Sequence, residues 1–344
     1  MDTGAVVQDF ASLSPPYLLF LGDATLLAAA KTAAGVHQWR PEHCLGQLRI
    51  NEGNVDLGLP DMTPAQASAR GAKTMVLGVA NPGGVIPESW VPTLVEALAN
   101  GLDLASGAHQ KLSSVPPLKA AAVQFGRRLF DVRHTDQVFE TGTGVKRTGR
   151  RLLTVGSDCV VGKKYTALAI ERVMRARGLN ADFRATGQTG ILIAGRGVAI
   201  DAVVSDFIAG AAEWLSPNND ADHWDIIEGQ GSLFHPAYAG VTLGLIHGSQ
   251  PDALVVCHEP IRDRILSVDY PTPPLLDCIA ANVAAARLTN PNARAVGVSI
   301  NTSRMEGAAI ERAMDQIERE TGLPCTDPIR HGPDRIVDYL LATS

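Results

Sequence analysis

The stretch from Arg151 to about Arg177 constrains this chain more than any other. Arg151-Leu152-Leu153-Thr154-Val155 reads as a short apolar strand, and it runs straight into Gly156-Ser157-Asp158-Cys159-Val160-Val161-Gly162-Lys163-Lys164-Tyr165-Thr166. An Ala-, Leu- and Ile-rich helical stretch follows. Strand, glycine-bounded loop and helix start together make a phosphate-binding loop, because consecutive backbone N–H groups and the helix N-terminus converge on an anion. The usual pattern is G-x-x-x-x-G-K-[ST], and this loop departs from it twice. Ser157 stands where the first glycine belongs, with Gly156 one residue earlier, and Lys164 replaces the Mg²⁺-binding hydroxyl. A lysine cannot ligate Mg²⁺ but can pair with a second phosphate. The loop is therefore expected to cradle a polyphosphate without needing a metal, although Thr166, two residues on, could supply a displaced hydroxyl.

A strand–loop–helix unit of this kind belongs to a parallel sheet covered by helices, and the rest of the chain alternates accordingly. Strands are expected at Tyr17 to Leu21, Thr74 to Val79 and Leu102 to Ala105, with helices from Ala24 to Ala34 and from Trp90 to Ala99 and a Pro/Gly turn at Asn81 to Gly84. This half is Rossmann-like in its alternation but has no G-x-G-x-x-G after its first strand, so a dinucleotide site is not expected there. The polar, glycine-rich segment from Glu140 to Gly149 is the best candidate boundary. Two α/β domains are expected, a Rossmann-like one over 1–148 and a P-loop NTPase-like one with a parallel sheet over 149–344. In the second, strands are expected at Ala181 to Arg184, Trp224 to Glu228, Ala253 to Cys257 and Ala295 to Asn301, and helices at Val203 to Glu213, Leu275 to Ala286 and Met305 to Thr321.

A chain of 344 residues, 45% apolar, can fill two cores. Its net charge of −6 and scattered Lys and Arg argue against a nucleic-acid surface. No apolar stretch is long enough to span a membrane, and no signal-like start is visible. The five cysteines are odd in number and form no C-x-x-C pair, which suits reduced thiols in the cytoplasm.

Ligands of such sheets sit beyond the carboxyl ends of the strands, so the residues there are the candidates. Glu228 ends an apolar strand just before Gly229-Gln230-Gly231, where it could hold a metal, act as a general base, or simply cap the turn. His258, in Cys257-His258-Glu259-Pro260, could accept a proton from an amine. Arg184, at a strand end before Thr186-Gly187-Gln188-Thr189-Gly190, could pair with a carboxylate. His235 and His247 have less support, and no His spacing typical of a metal site occurs, so no metal is expected. Arg262 and Arg264 are expected to cover a solvated helix face.

Gly156-Ser157-Asp158 with Val161-Gly162-Lys163 resembles the loop of dethiobiotin synthetase. A longer likeness runs through Gly156 to Thr166, Arg184 to Gly190, Asp201 to Phe207, Glu228 to Leu233, His247 to Asp252 and His258-Glu259-Pro260. Over nearly the whole chain these stretches resemble a two-domain bacterial and archaeal family that includes D-glutamate N-acetyltransferase. The resemblance implies transfer of an acetyl group from acetyl-CoA to D-glutamate in D-amino acid catabolism. It places coenzyme A phosphates on Gly156, Ser157, Asp158, Cys159, Val161, Gly162, Lys163, Lys164, Tyr165 and Thr166. Glu228, with His258 second, would be the base, backbone N–H groups from Gly229 to Ser232 would steady the thioester oxyanion, and Arg184, Gln188 and Ser232 would bind the amino acid. A homo-oligomer is expected. The rival reading is an ATP- and Mg²⁺-dependent ligase or kinase, in which Thr166 or Asp158 helps hold the metal.

Overall fold

The computed structural model describes residues 13–27, 29–79, 82–134 and 137–343; Ala28 and Asn81, which fall in the expected first helix and Pro/Gly turn, lie outside them. The chain forms two compact units, Met1–Asp136 with Gln188–Ala199, and Gln137–Gly187 with Ile200–Ser344. The polar segment from Glu140 to Gly149 thus belongs to the second unit.

The first unit is built on five parallel strands, β1 (Tyr17–Gly22), β2 (Cys44–Arg49), β3 (Thr74–Leu77), β4 (Asp103–Ser106) and β5 (Leu129–Asp131), in the order β2-β1-β3-β4-β5. Its helices are α1 (Lys31–Trp39), α2 (Pro64–Ala69), α3 (Val91–Ala99) and α4 (Pro116–Phe125). All six residues of β1 are buried, which is why Tyr17 to Leu21 is uninterrupted by polar residues. Phe20 meets Trp90 edge to face, with ring centroids 5.2 Å apart, in a core with Leu18, Met75, Leu94 and Leu104. The first helix begins later than expected. The Ala24 carbonyl accepts a 2.8 Å bond from Val55 N–H, so this segment closes a loop before α1 starts at Lys31.

The second unit carries six parallel strands, β6 (Arg150–Gly156), β7 (Ala181–Arg184), β8 (Trp224–Ile227), β9 (Ala253–His258), β10 (Arg294–Ile300) and β11 (Cys325–Thr326). Between β6 and β7 lies α5 (Lys163–Ala176), and α6 (Gln188–Ala194) follows β7 but packs in the first unit. The others are α7 (Ile208–Leu215), α8 (Ala239–Ser249), α9 (Leu275–Arg287), α10 (Ala308–Thr321) and α11 (Asp334–Ala342). The strand order β11-β10-β9-β6-β8-β7 reverses direction at β6. Chain connections therefore leave to opposite sides of β6, and a crevice opens beyond its carboxyl end, where the phosphate loop begins.

Helices α7 and α8 also differ from expectation. Val203 to Phe207 is mostly a 3-10 turn, and α7 starts at Ile208. Helix α8 was not expected, because Gly240, Gly244 and Gly248 depress helix propensity. A Cβ on Gly248 would lie 2.1 Å from the Ala209 carbonyl oxygen, and one on Gly244 would lie 2.6 Å from Ile208 Cγ2. The glycines let α7 and α8 pack at close range. No helix among the described residues is long and apolar enough to cross a membrane.

Candidate active site

The phosphate loop has the geometry its sequence implies. Gly162 caps α5 with φ 106°, a value that only glycine adopts readily, and the exposed tip residue Val160 is left-handed at φ 57°. A β-branched residue in that conformation is strained, and such strain gathers at ligand sites. Lys163 is buried with its Nζ donating to the Asp158 carbonyl oxygen at 2.7 Å, and burial pushes its ammonium below the usual range. Lys164 Nζ stands 4.5 Å from the centre of the Tyr165 ring. The Thr166 hydroxyl faces the sheet, 2.7 Å from Ser299 Oγ and 3.1 Å from the Gly162 carbonyl oxygen. Cys159 has no activated thiol, since burial raises it.

Glu228 follows β8, directly beside the loop strand. Its backbone N–H donates to the Arg184 carbonyl oxygen at 3.0 Å, and its Oε2 accepts from the N–H groups of Thr186 and Gly187 at 3.0 and 3.1 Å. Burial raises this carboxyl above its ordinary range, although Lys164, the two amides and Lys163 pull the other way. A carboxylate of raised basicity beside two lysines is suited to taking a proton. The Gly229 N–H, expected near the oxyanion, is spent on Thr154 Oγ1 at 2.9 Å.

His258, the last residue of β9, places Nδ1 2.9 Å from Ser157 Oγ. Ser157 thus ties the loop to the imidazole, which burial holds below its ordinary range. Glu259 pairs with Arg262 and Arg304.

Arg262 is used differently from the solvated cation expected. Its side chain is only 13% exposed, and Nη1 donates to Asp158 Oδ2 at 2.7 Å and to the Cys159 carbonyl oxygen at 2.8 Å. It bolts the segment after β9 onto the phosphate loop. The i, i+3 spacing of Glu259 and Arg262 behind a strand end was the available signal. Arg264, 60% exposed and paired with Asp269, does lie at the surface.

Asp158, Cys159 and His235 bring possible ligand atoms within 4.8 Å of one another. Asp158 already accepts from Arg262, Leu266 N–H and Cys159 N–H, and His235 uses Nε2 on the Leu266 carbonyl and Nδ1 on Ala237 N–H. The trio is a hydrogen-bonded junction rather than an open metal cradle.

Of the three residues expected to hold the amino acid, Arg184 and Ser232 lie in the second unit and Gln188 in the first. Arg184 is a correction: its Nε donates to Asp225 Oδ1 at 2.7 Å within a buried cluster that also holds Ser216, Asn219 and His223. In the structure the buried guanidinium is thus the partner of the Asp225 carboxylate. Ser232 is fully buried, and its Oγ accepts from Phe234 N–H at 3.2 Å, closing a turn. Gln188 opens α6 and belongs to the first unit.

Fold and site define a two-domain α/β protein, Rossmann-like and then P-loop, with a buried carboxylate opposite the loop lysines. Residues 139–337 match the model described as the DUF1611_C P-loop domain of unknown function, and residues 50–135 match the DUF1611_N Rossmann-like domain. The chain belongs to this DUF1611 family. It is 50% identical to a D-glutamate N-acetyltransferase of Tritonibacter scottomollicae, over 96% of this chain and 99% of that one. A Pseudoalteromonas protein of the same name is 49% identical, over 95% and 99%. The crystal structure of a DUF1611 family protein from Anabaena variabilis superposes with a TM-score of 0.82 at 31% identity, covering 96% of this chain and all of that one.

Proposed function

We propose that this protein transfers the acetyl group of acetyl-CoA to the amine of D-glutamate. The observation that carries the reading is identity of about one half, over nearly the whole length of both chains, with two D-glutamate N-acetyltransferases. The geometry of the second unit supports it. Direct acyl transfer moves no phosphoryl group, and a loop whose Thr166 hydroxyl is turned into the sheet suits phosphate binding by lysines and backbone N–H groups alone. Lys163 and Lys164 hold phosphates of the donor. Glu228 removes a proton from the substrate ammonium, since only the free amine attacks a thioester. Nitrogen adds to the acetyl carbonyl and the carbon–sulfur bond breaks; of the two protons the ammonium loses, one leaves with coenzyme A as its thiol and the other passes from Glu228 to solvent. All five thiols are free, which fits the cytoplasmic setting of this reading.

The test is coenzyme A release from acetyl-CoA with D-glutamate, L-glutamate and other amino acids in the presence of EDTA. Release with D-glutamate alone is the expected result; release only with another acceptor, or none without added Mg²⁺ and ATP, overturns the assignment. Replacing Lys163 with methionine is expected to raise the KM for acetyl-CoA about tenfold or more, the scale of one lost charged hydrogen bond. Calorimetric titration with coenzyme A checks it, and unchanged affinity removes Lys163 from the phosphate site.

A further inference from the structure

We propose that the cavity of about 300 Å³ behind the phosphate loop, walled by His258, Arg262, Pro273, Pro274 and Gln316, seats the adenine end of the acetyl-CoA donor. The inference rests on the acetyltransferase reading. His258 and Arg262 are shared walls: one side of each bonds to the loop, through Ser157 at 2.9 Å and Asp158 at 2.7 Å, and each also lines the cavity. A molecule with its phosphates on the loop meets this space next.

The lining suits a flat, uncharged ring. The cavity presents the carboxylates of Asp263 and Glu320 and one guanidinium, Arg262, already shared by Asp158 and Glu259. Adenine is flat, uncharged and donates hydrogen bonds from its exocyclic amine. The Pro273, Pro274 and Leu275 side chains offer apolar faces for the ring. Gln316 Nε2 donates to Glu320 Oε1 at 2.8 Å, which turns the amide and leaves its carbonyl oxygen as an acceptor. The Thr272 hydroxyl in the wall is buried and has no hydrogen-bond partner among the described residues.

Ala313 also lines the cavity, on α10, and Ala313→Trp fills it. The measurement is kcat/KM for acetyl-CoA divided by that for acetyl-pantetheine, which lacks the nucleotide. The ratio is expected to fall about tenfold in Ala313→Trp, the scale of one base-stacking contact, and about threefold in Gln316→Leu, a milder change at an exposed position. A native enzyme that turns over with both variants holding the native ratio overturns the pocket alone. A native enzyme that releases no coenzyme A from acetyl-CoA with D-glutamate overturns the acetyltransferase reading, and the adenine seat with it.

Discussion

Glu228→Gln lowers kcat about 10³-fold and leaves the KM for acetyl-CoA within twofold, because removing a positioned general base costs about 10²–10⁴ in rate. Glutamine keeps an oxygen that can accept the Thr186 and Gly187 N–H groups, so the junction between β7 and β8 survives while the basic site is lost. Steady-state kinetics with both substrates checks this, and a kcat within a factor of three of the native value removes Glu228 from the role. The pH profile adds a second readout. Burial raises Glu228 above the ordinary carboxylate range, so activity falls with acid at a higher pH than an unperturbed carboxylate would give. That limb disappears in the glutamine variant.

The same shift makes a statement about stability. A folded-state value raised above the unfolded one means that protonation favours folding; the benefit is complete below the unfolded value and is lost as pH rises through the folded one. Above the folded-state value the ionised Glu228 therefore costs stability. Glu228→Gln melts at or above the native temperature there, and the gap narrows as the pH is lowered.

Arg184→Leu costs about 3–5 kcal/mol of unfolding free energy, the usual result of removing one partner from a buried ion pair. Arg184 and Asp225 are 7% and 1% exposed, and without the guanidinium Asp225 keeps the hydrogen bonds of His223, Ser216 and Asn219 but loses its ion-pair partner. Among these, burial pushes Asp225 up, but His223, Arg184 and Ser216 outweigh it and hold the carboxyl below its usual range. Its stabilising effect is thus present above the unfolded carboxylate value and is lost as pH falls through the folded one. The urea midpoint reports the loss, and Arg184→Leu with Asp225→Leu recovers most of it. A variant of native stability whose KM for D-glutamate has risen tenfold would instead return Arg184 to the substrate.

The phosphate loop was legible because its chemistry is local: strand, glycines, lysines and helix lie within one run, and β6 and α5 fall where the pattern put them. The place of Glu228 just past an apolar strand was legible for a related reason, since it directly follows Trp224–Ile227. Strand β2 was not, because Gly46 and Gln47 interrupt its apolar pattern; a Cβ on Gly46 would lie 2.7 Å from the Pro60 carbonyl oxygen, a contact set by residues far along the chain. Arg184 and Arg262 were misjudged together. What a guanidinium does depends on which carboxylate folding brings to it, and Asp225 and Asp158 lie 41 and 104 positions away.

The segment Gln188–Ala199 leaves the second unit after Gly187 and returns at Ile200, and in between it packs with the first. A polypeptide ending at Asp136 would therefore lack α6, which lies against α1: Leu192 and Ile193 are fully buried, and Gly35 sits where an added Cβ would touch Thr189 and Ile193. Such a fragment would expose the apolar flank of α1 and aggregate. The complementary piece from Gln137 onward would carry an apolar helix without its cover. The gene cannot be halved into two self-sufficient proteins, although each half of its sequence has a family signature of its own. In synthesis the first unit stays unfinished until the ribosome has passed Ala199, well inside the coding region of the second, so the two must mature together rather than in turn.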